Sequence, residues 1–232
     1  MTQSAKTSLL FPNSPQAVIC DMDGLLFDTE RIYMTAVITA GRAVGFEIGE
    51  ELCHAMIGVP ERECDLMLQA RFGATFPMAE YVHECGKRLA RLTESSIPLK
   101  PGAIELLAYL SWRRIPTAIA TSSSRKTTQR YLQTAGLSAR FDALITCDEV
   151  EHGKPWPDLF VKAAEHLGIE PKHCLAVEDS PNGIRSAHAA GTMPIMVPDI
   201  LPPTDDIRAL CIAVVDSLHD VRRLMTAAEE RT

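Results

Sequence analysis

The sequence lacks the positive charge and the long apolar runs that nucleic-acid-binding and membrane proteins need. Its 232 residues include 30 acidic and 23 basic side chains, a formal net charge of −7, and no dense Lys/Arg block offsets that balance. Because binding to nucleic acid depends on such blocks, we expect no nucleic-acid partner. No apolar run reaches the roughly 18 residues of a membrane helix, and residues 1–14 contain too short an apolar patch for a secretory signal. We therefore expect no membrane partner and interpret residues 1–14 as a flexible tail.

Disulfide and zinc patterns are also missing. The seven cysteines are odd in number and widely scattered, with no C-x-x-C pair, and the seven histidines form no H-E-x-x-H spacing. Such cysteines are typical of reduced, mostly buried thiols, which predicts a cytoplasmic protein. The 46% content of hydrophobic residues suits one large packed domain, alone or with a small insert.

Short apolar segments rich in β-branched residues recur along the chain and predict six strands. Several are uninterrupted apolar runs, the pattern of a parallel strand that is covered on both faces. The segments are QAVICD (16–21), IPTAIAT (115–121), DALIT (142–146), HCLAVED (173–179), MPIMV (193–197) and CIAVV (211–215). Helical patterns lie between most of them, and three of these end at a glycine, which suits a helix C-terminus. The alternation predicts an α/β fold with a doubly wound, Rossmann-like parallel sheet.

Residues 29–97 interrupt this alternation. They contain amphipathic helical stretches around 30–45, 48–57, 61–72 and 78–95 and no convincing strand. We interpret them as an all-helical cap domain, inserted into an α/β core domain made of residues 15–28 and 98–232. Pro98 and Pro101 stiffen the return of the chain to the core.

Polar side chains follow four of the predicted strands, at the edge where open parallel sheets bind ligands. They are Asp21, Asp23, Thr121, Ser122, Lys154, Glu178 and Asp179. Four carboxylates at one edge would repel one another and shift toward their neutral forms, unless a cation offset their charge. Oxygen ligands favour Mg²⁺, which keeps several waters and leaves a position for a substrate phosphate. The Lys154 ammonium and the Thr121 hydroxyl suit that phosphate.

Four segments together resemble the motifs of the haloacid dehalogenase superfamily, in order and at suitable spacing. They are DMDGLLFDTE (21–30), ATSSS (120–124), GKPWPDLF (153–160) and VEDSPNGIRSAHAAG (177–191). The resemblance covers residues 16 to about 200 and is closest to the branch whose helical cap follows the first strand. That branch includes beta-phosphoglucomutase and many sugar-phosphate phosphatases, so the resemblance implies phosphoryl transfer on a small phosphorylated metabolite.

The resemblance also implies roles for the motif residues. Asp21 is the expected nucleophile, which becomes an aspartyl phosphate, and Asp23 is the expected general acid and base. Mg²⁺ is then held by Asp21, the backbone carbonyl of Asp23 and Asp179, and Glu178 binds it directly or through water. Thr121 and Lys154 complete the expected catalytic set.

Asp23 separates phosphoryl transfer from dehalogenation, because the dehalogenases lack an acid at this place. The mutase of the branch uses a cap Lys and Arg within L-K-G-V-S-R, and a His soon after the first motif. In this sequence MIGVPER (56–62) places Ile57 and Glu61 opposite the Lys and Arg, Tyr33 stands opposite the His, and Arg62 is one residue out of register. The resemblance therefore favours a Mg²⁺-dependent phosphatase that hydrolyses a sugar phosphate, with a hexose-phosphate mutase as the alternative.

Several local readings stay open at this point. Ser122 is expected to bind substrate, together with Tyr33, Ile57 and Arg62 of the cap. The segment 122–125 could cradle phosphate with the backbone N–H groups of a helix start or could simply cap that helix. Asp28 and Thr29 are expected to cap the first cap helix, and the protein is expected to be a monomer.

Overall fold

The computed structural model describes residues 11–56, 59 and 61–229. The chain divides into two compact units. One, the core unit, combines the residues up to Asp28 with those from Pro98 onward, and the other, the helical unit, is Thr29–Ile97. Most of the expected tail and Ile57 lie outside the described residues.

The helical unit is built from amphipathic helices around its own apolar centre. Its helices are α1 (Glu30–Ala43), α2 (Glu50–Met56), α3 (Glu61–Phe72) and α4 (Met78–Leu92). Phe46 packs against Phe72 and Phe76, with ring centroids 5.4 and 5.0 Å apart, and Phe76 contacts Tyr81 at 5.2 Å. Thr29 occupies the N-cap position of α1, as expected, although its side chain makes no capping hydrogen bond.

The core unit contains a parallel sheet. Its strands are β1 (Ala17–Cys20), β2 (Thr117–Ala120), β3 (Ala143–Ile145), β4 (Cys174–Glu178), β5 (Met193–Met196) and β6 (Ala213–Val214). Their order is β3-β2-β1-β4-β5-β6, and every neighbouring pair is parallel. The predicted α/β fold with a doubly wound parallel sheet is confirmed. β1, β2 and β4 are buried along their whole length, which explains why their sequences are apolar without alternation.

Helices flank this sheet. They are α5 (Ala103–Arg113), α6 (Arg125–Thr134), α7 (Asp158–Leu167), α8 (Pro181–Ala189), α9 (Asp205–Leu210) and α10 (Leu218–Glu229). Phe160 and Ala163 of α7 pack in one cluster with Ile19 of β1 and Ala118 of β2. The sequence patterns predict no helix at 205–210 or 218–229. α10 buries Leu218, Val221 and Met225, which are spaced as on one face of a helix. The charged residues of this short segment hide that pattern in the sequence.

The strand order places a topological switch at β1. The chain extends to one side through β2 and β3 and then crosses to β4 on the other side of β1. Cys20 pairs with Ile119 of β2 and with Val177 of β4, so these three strands end at nearly the same level. Residues that follow them are therefore brought together at the position where doubly wound sheets bind ligands.

Candidate active site

Three carboxylates converge beyond the ends of β1 and β4. Asp21 directly follows β1, Glu178 is the last residue of β4, and Asp179 comes next. One ligand oxygen of each lies within 4.8 Å of the others, and all three residues are buried. Adjacent strands of a parallel sheet present their carboxyl ends side by side, which explains the convergence.

Lys154 neutralises part of this charge. Its Nζ donates to Asp21 Oδ1 and to Glu178 Oε1, both at 2.5 Å, and its side chain is only 6% exposed. Nζ also lies 5.3 Å from the centroid of the Phe160 ring. Burial works to lower the pKa of Lys154, but the carboxylates of Asp21 and Glu178 hold that pKa above its usual value. The lysine is therefore charged and shared by two carboxylates.

Glu178 is fixed by a second set of contacts. Its Oε2 accepts hydrogen bonds from the backbone N–H groups of Asp179 and Ser180 and from Ser180 Oγ, at 2.9 to 3.0 Å. Ser180 Oγ in turn caps α8 by accepting from the Gly183 N–H at 3.1 Å. A Cβ at Gly183 would lie 1.8 Å from Glu178 Cδ, so only glycine leaves room for this carboxylate. Glu178, which binds Lys154, is thus also hydrogen-bonded to the N-terminus of α8.

Asp23 is held by a serine from the loop after β2. Ser123 Oγ donates to Asp23 Oδ2 at 2.7 Å, and the Ser123 N–H donates to Thr121 Oγ1 at 3.1 Å. Thr121 is buried where β2 ends, whereas Ser122 is exposed. Ser124 caps α6 by accepting from the Thr127 N–H, which supports the plain capping reading for that residue. The contact between Ser123 and Asp23 is not predicted from the sequence.

The donor chemistry fits a hard divalent cation. Asp21, Glu178 and Asp179 offer carboxylate oxygens, and one ammonium cannot balance all three. Burial raises the pKa of the Asp21 carboxyl well above its usual range, the Lys154 ammonium opposes that rise, and the Glu178 carboxylate adds to it. The ionised form of Asp21 therefore has too little positive charge around it, and a bound cation would supply that charge.

A further carboxylate follows β5. The Asp199 side chain is 4% exposed, and its Oδ1 accepts from Lys100 Nζ at 2.6 Å. Lys100 Nζ also lies 4.0 Å from Asp28 Oδ1. Neither Asp199 nor Lys100 is among the site residues that the sequence motifs predict. The available signal was the position of Asp199, three residues after an apolar strand and at the same edge of the sheet as the other acids.

The expected cap residues belong to the helical unit. Tyr33 lies on α1 with 47% of its surface exposed, and Arg62 lies exposed on α3. Ile57 is outside the described residues. Within the part of the chain that the structure describes, no helix is long and apolar enough to cross a membrane.

The parallel sheet with carboxylates and a buried lysine at its switch point defines a doubly wound α/β protein with a candidate catalytic site. The profile of the haloacid dehalogenase-like hydrolases matches residues 15–191, and the chain belongs to this family. A phosphorylated carbohydrates phosphatase of Thermotoga maritima is 31% identical over 176 residues, which are 76% of this chain and 82% of the relative. Hexitol phosphatase B of Escherichia coli is 30% identical over 189 residues, which are 81% of this chain and 85% of the relative.

A solved structure is similar over most of the chain. The crystal structure of CbbY from Rhodobacter sphaeroides in complex with xylulose-(1,5)bisphosphate has a TM-score of 0.74 and 26% sequence identity. The similarity covers 88% of this chain and 95% of that one. The family that the four sequence motifs indicate is therefore confirmed.

Proposed function

We propose that this protein is a Mg²⁺-dependent phosphatase that hydrolyses a small sugar phosphate through an aspartyl phosphate on Asp21. One observation carries the proposal: Asp21 is buried at the switch point in direct contact with Lys154, beside the carboxylates of Glu178 and Asp179. The relatives named for carbohydrate and hexitol phosphates support the substrate class. We also propose that the protein is a cytoplasmic monomer.

In the first half-reaction Asp21 and Asp23 act together. A carboxylate oxygen of Asp21 attacks the phosphorus, and the bond from phosphorus to the sugar oxygen breaks. Protonated Asp23 gives its proton to that leaving oxygen, so the sugar departs as a neutral alcohol. The hydrogen bond from Ser123 Oγ keeps one oxygen of Asp23 oriented, and the other oxygen is the one we assign to the proton transfer.

The second half-reaction uses the same two residues. The Asp23 carboxylate takes a proton from a water molecule, whose oxygen attacks the phosphorus of the aspartyl phosphate. The bond between phosphorus and Asp21 breaks, which releases inorganic phosphate and regenerates the Asp21 carboxylate. Asp23 ends the cycle protonated, as it began, so the net reaction consumes one water.

Lys154 and Thr121 are the proposed phosphate-binding groups. Lys154 Nζ already lies against Asp21 Oδ1, so its charge is placed where the phosphate oxygens would arrive. Glu178 holds Lys154 in that position. Ser122, exposed beside Thr121, is the proposed contact to the rest of the substrate in the core unit. Tyr33, Ile57 and Arg62 of the helical unit are proposed as specificity residues.

The proposed Mg²⁺ ligands are the carboxylates of Asp21 and Asp179 and the backbone carbonyl of Asp23, with Glu178 binding directly or through water. When bound, Mg²⁺ supplies positive charge that reduces the repulsion between these carboxylates and the phosphate oxygens. The buried oxygen donor set is the feature that supports this choice.

The test is a screen of phosphorylated metabolites with the purified protein, with Mg²⁺ or with EDTA, followed by phosphate release. We expect Mg²⁺-dependent release from sugar phosphates and a loss on the order of 10³-fold or more in Asp21→Asn, because the covalent route is gone. Ser111→Ala, an exposed serine on α5, is the matched control and should keep full activity. Substantial turnover by Asp21→Asn would refute the nucleophile, and an isomerised sugar phosphate formed with a bisphosphate primer would identify a mutase instead.

A further inference from the structure

The Asp199 carboxylate has one satisfied and one unsatisfied oxygen. Oδ1 accepts the short hydrogen bond from Lys100, whereas Oδ2 is buried and has no hydrogen-bond partner among the described residues. The side chain is 4% exposed, so bulk water does not compensate Oδ2. Buried acceptors without a partner are rare in native proteins, because each one costs the free energy of its desolvation. Each such atom therefore indicates a ligand or an ordered water.

The unsatisfied oxygen lies next to the acidic cluster. Gly24, in the loop after β1, has a φ of +81°, and a Cβ built on it would lie 2.4 Å from Asp179 Oδ2 and 3.5 Å from Asp199 Oδ2. Both carboxylate oxygens thus lie against the same side of Gly24, where no side chain separates them. Asp179 belongs to the three carboxylates that could hold a cation.

We propose that Asp199 is a positioning residue for the divalent cation of the acidic cluster, because its Oδ2 accepts a hydrogen bond from a cation-bound water. This inference rests on the proposed function, which supplies the cation. Mg²⁺ in proteins keeps several waters, and carboxylates outside the ligand set orient such waters. Lys100 holds Oδ1 and offsets the charge of Asp199, so the cluster gains a water acceptor without a further uncompensated charge.

The test measures cation binding rather than turnover. Isothermal titration of the metal-free, full-length protein with Mg²⁺ compares wild type, Asp199→Asn and Asp199→Ala, and thermal melting in EDTA measures the stability of each variant. We expect the Kd for Mg²⁺ to rise roughly 10- to 100-fold in both variants, the range found for partners of metal ligands. Asp206→Asn is the matched control, because Asp206 forms an exposed ion pair with Arg185 at 3.1 Å and should leave the Kd unchanged.

Each outcome decides the inference. A Kd within twofold of wild type for both Asp199 variants would overturn it, whatever their melting temperatures, and would assign Asp199 a structural role only. A wild-type protein that binds no Mg²⁺ would overturn both the inference and the cation in the proposed function. A protein that binds Mg²⁺ through Asp199 but releases phosphate from no substrate would support the inference and refute the proposed function.

Discussion

Replacing Lys154 with methionine tests the charge balance of the site most directly. Methionine keeps an unbranched apolar side chain but removes the ammonium, which Asp21 and Glu178 share at 2.5 Å each. Their side chains are 8% and 0% exposed, so two carboxylates are left buried without a counter-charge. Breaking a buried ion pair from one side costs roughly 3–5 kcal/mol. We expect Lys154→Met to lose about that much unfolding free energy in EDTA.

A second substitution should restore part of the loss. Both carboxylate oxygens contact the same Nζ, so they lie no more than about 5 Å apart, and two like charges at that distance repel by roughly 3 kcal/mol at an effective dielectric constant of 20. Glu178→Gln removes one of these charges. Lys154→Met/Glu178→Gln should therefore be more stable than Lys154→Met by about 3 kcal/mol, less the cost of the weakened hydrogen bonds to Ser180.

Urea denaturation followed by far-UV circular dichroism measures these changes. Tryptophan fluorescence is less suitable, because Trp112 and Trp156 are already 74% and 60% exposed in the folded protein. The destabilisation by Lys154→Met should also shrink as the pH falls. Burial raises the pKa of Asp21 and the Lys154 ammonium opposes that rise, so without the ammonium the folded variant binds a proton at Asp21 more readily than the unfolded chain does. A loss below about 1 kcal/mol, or a double variant less stable than Lys154→Met, would refute this account of the site.

Three further substitutions follow from the same geometry. Ser123→Ala removes the hydrogen bond to Asp23 and should lower kcat by about 10-fold for alkyl phosphates. The loss should be smaller for p-nitrophenyl phosphate, whose leaving group needs little proton donation. Equal losses on both substrates would contradict this role of Ser123. Gly183→Ala should destabilise the protein by about 1–3 kcal/mol in thermal denaturation, because its Cβ collides with Glu178. Gly86→Ala, at an exposed helical site on α4 where a Cβ meets nothing within 4 Å, should instead stabilise it by about 0.5–1 kcal/mol. If both glycine variants shift stability in the same direction, the collision between a Cβ at position 183 and Glu178 does not determine the effect of Gly183→Ala.

The sequence predicts the sheet and its acidic edge well, for identifiable physical reasons. β1 and β4 are buried on both faces, so each is an uninterrupted apolar run that stops where a carboxylate begins. Because these strands are neighbours, the strand order alone brings Asp21 and Asp179 close together. The two-residue β6 and the six-residue α9 are harder to place, because short elements carry little periodic signal.

Contacts between loops are the part of the site that the sequence could not predict. Ser123 and Asp23 are 100 positions apart, and Lys100 and Asp199 are 99 positions apart. Neither pair lies on facing strand positions, so strand order and register do not bring them together. Their contacts depend on the path of the segments after β1, β2 and β5 and of the segment before α5, which no periodicity encodes. Thr29 takes the expected N-cap position of α1, but local backbone geometry, which residue type does not encode, decides whether its side chain forms the capping hydrogen bond.

The buried carboxylates of the site carry more negative charge than its lysine can balance. Asp21, Glu178 and Asp179 carry three negative charges when ionised, against the one positive charge of Lys154. A phosphate dianion would add two more negative charges, so its approach to Asp21 is unfavourable unless further positive charge is present. The same shortage of positive charge favours a divalent cation over a water molecule beside these carboxylates. The affinity of the site for phosphate is therefore expected to depend on the cation, and the Asp199 carboxylate, already balanced by Lys100, can take part without enlarging the deficit.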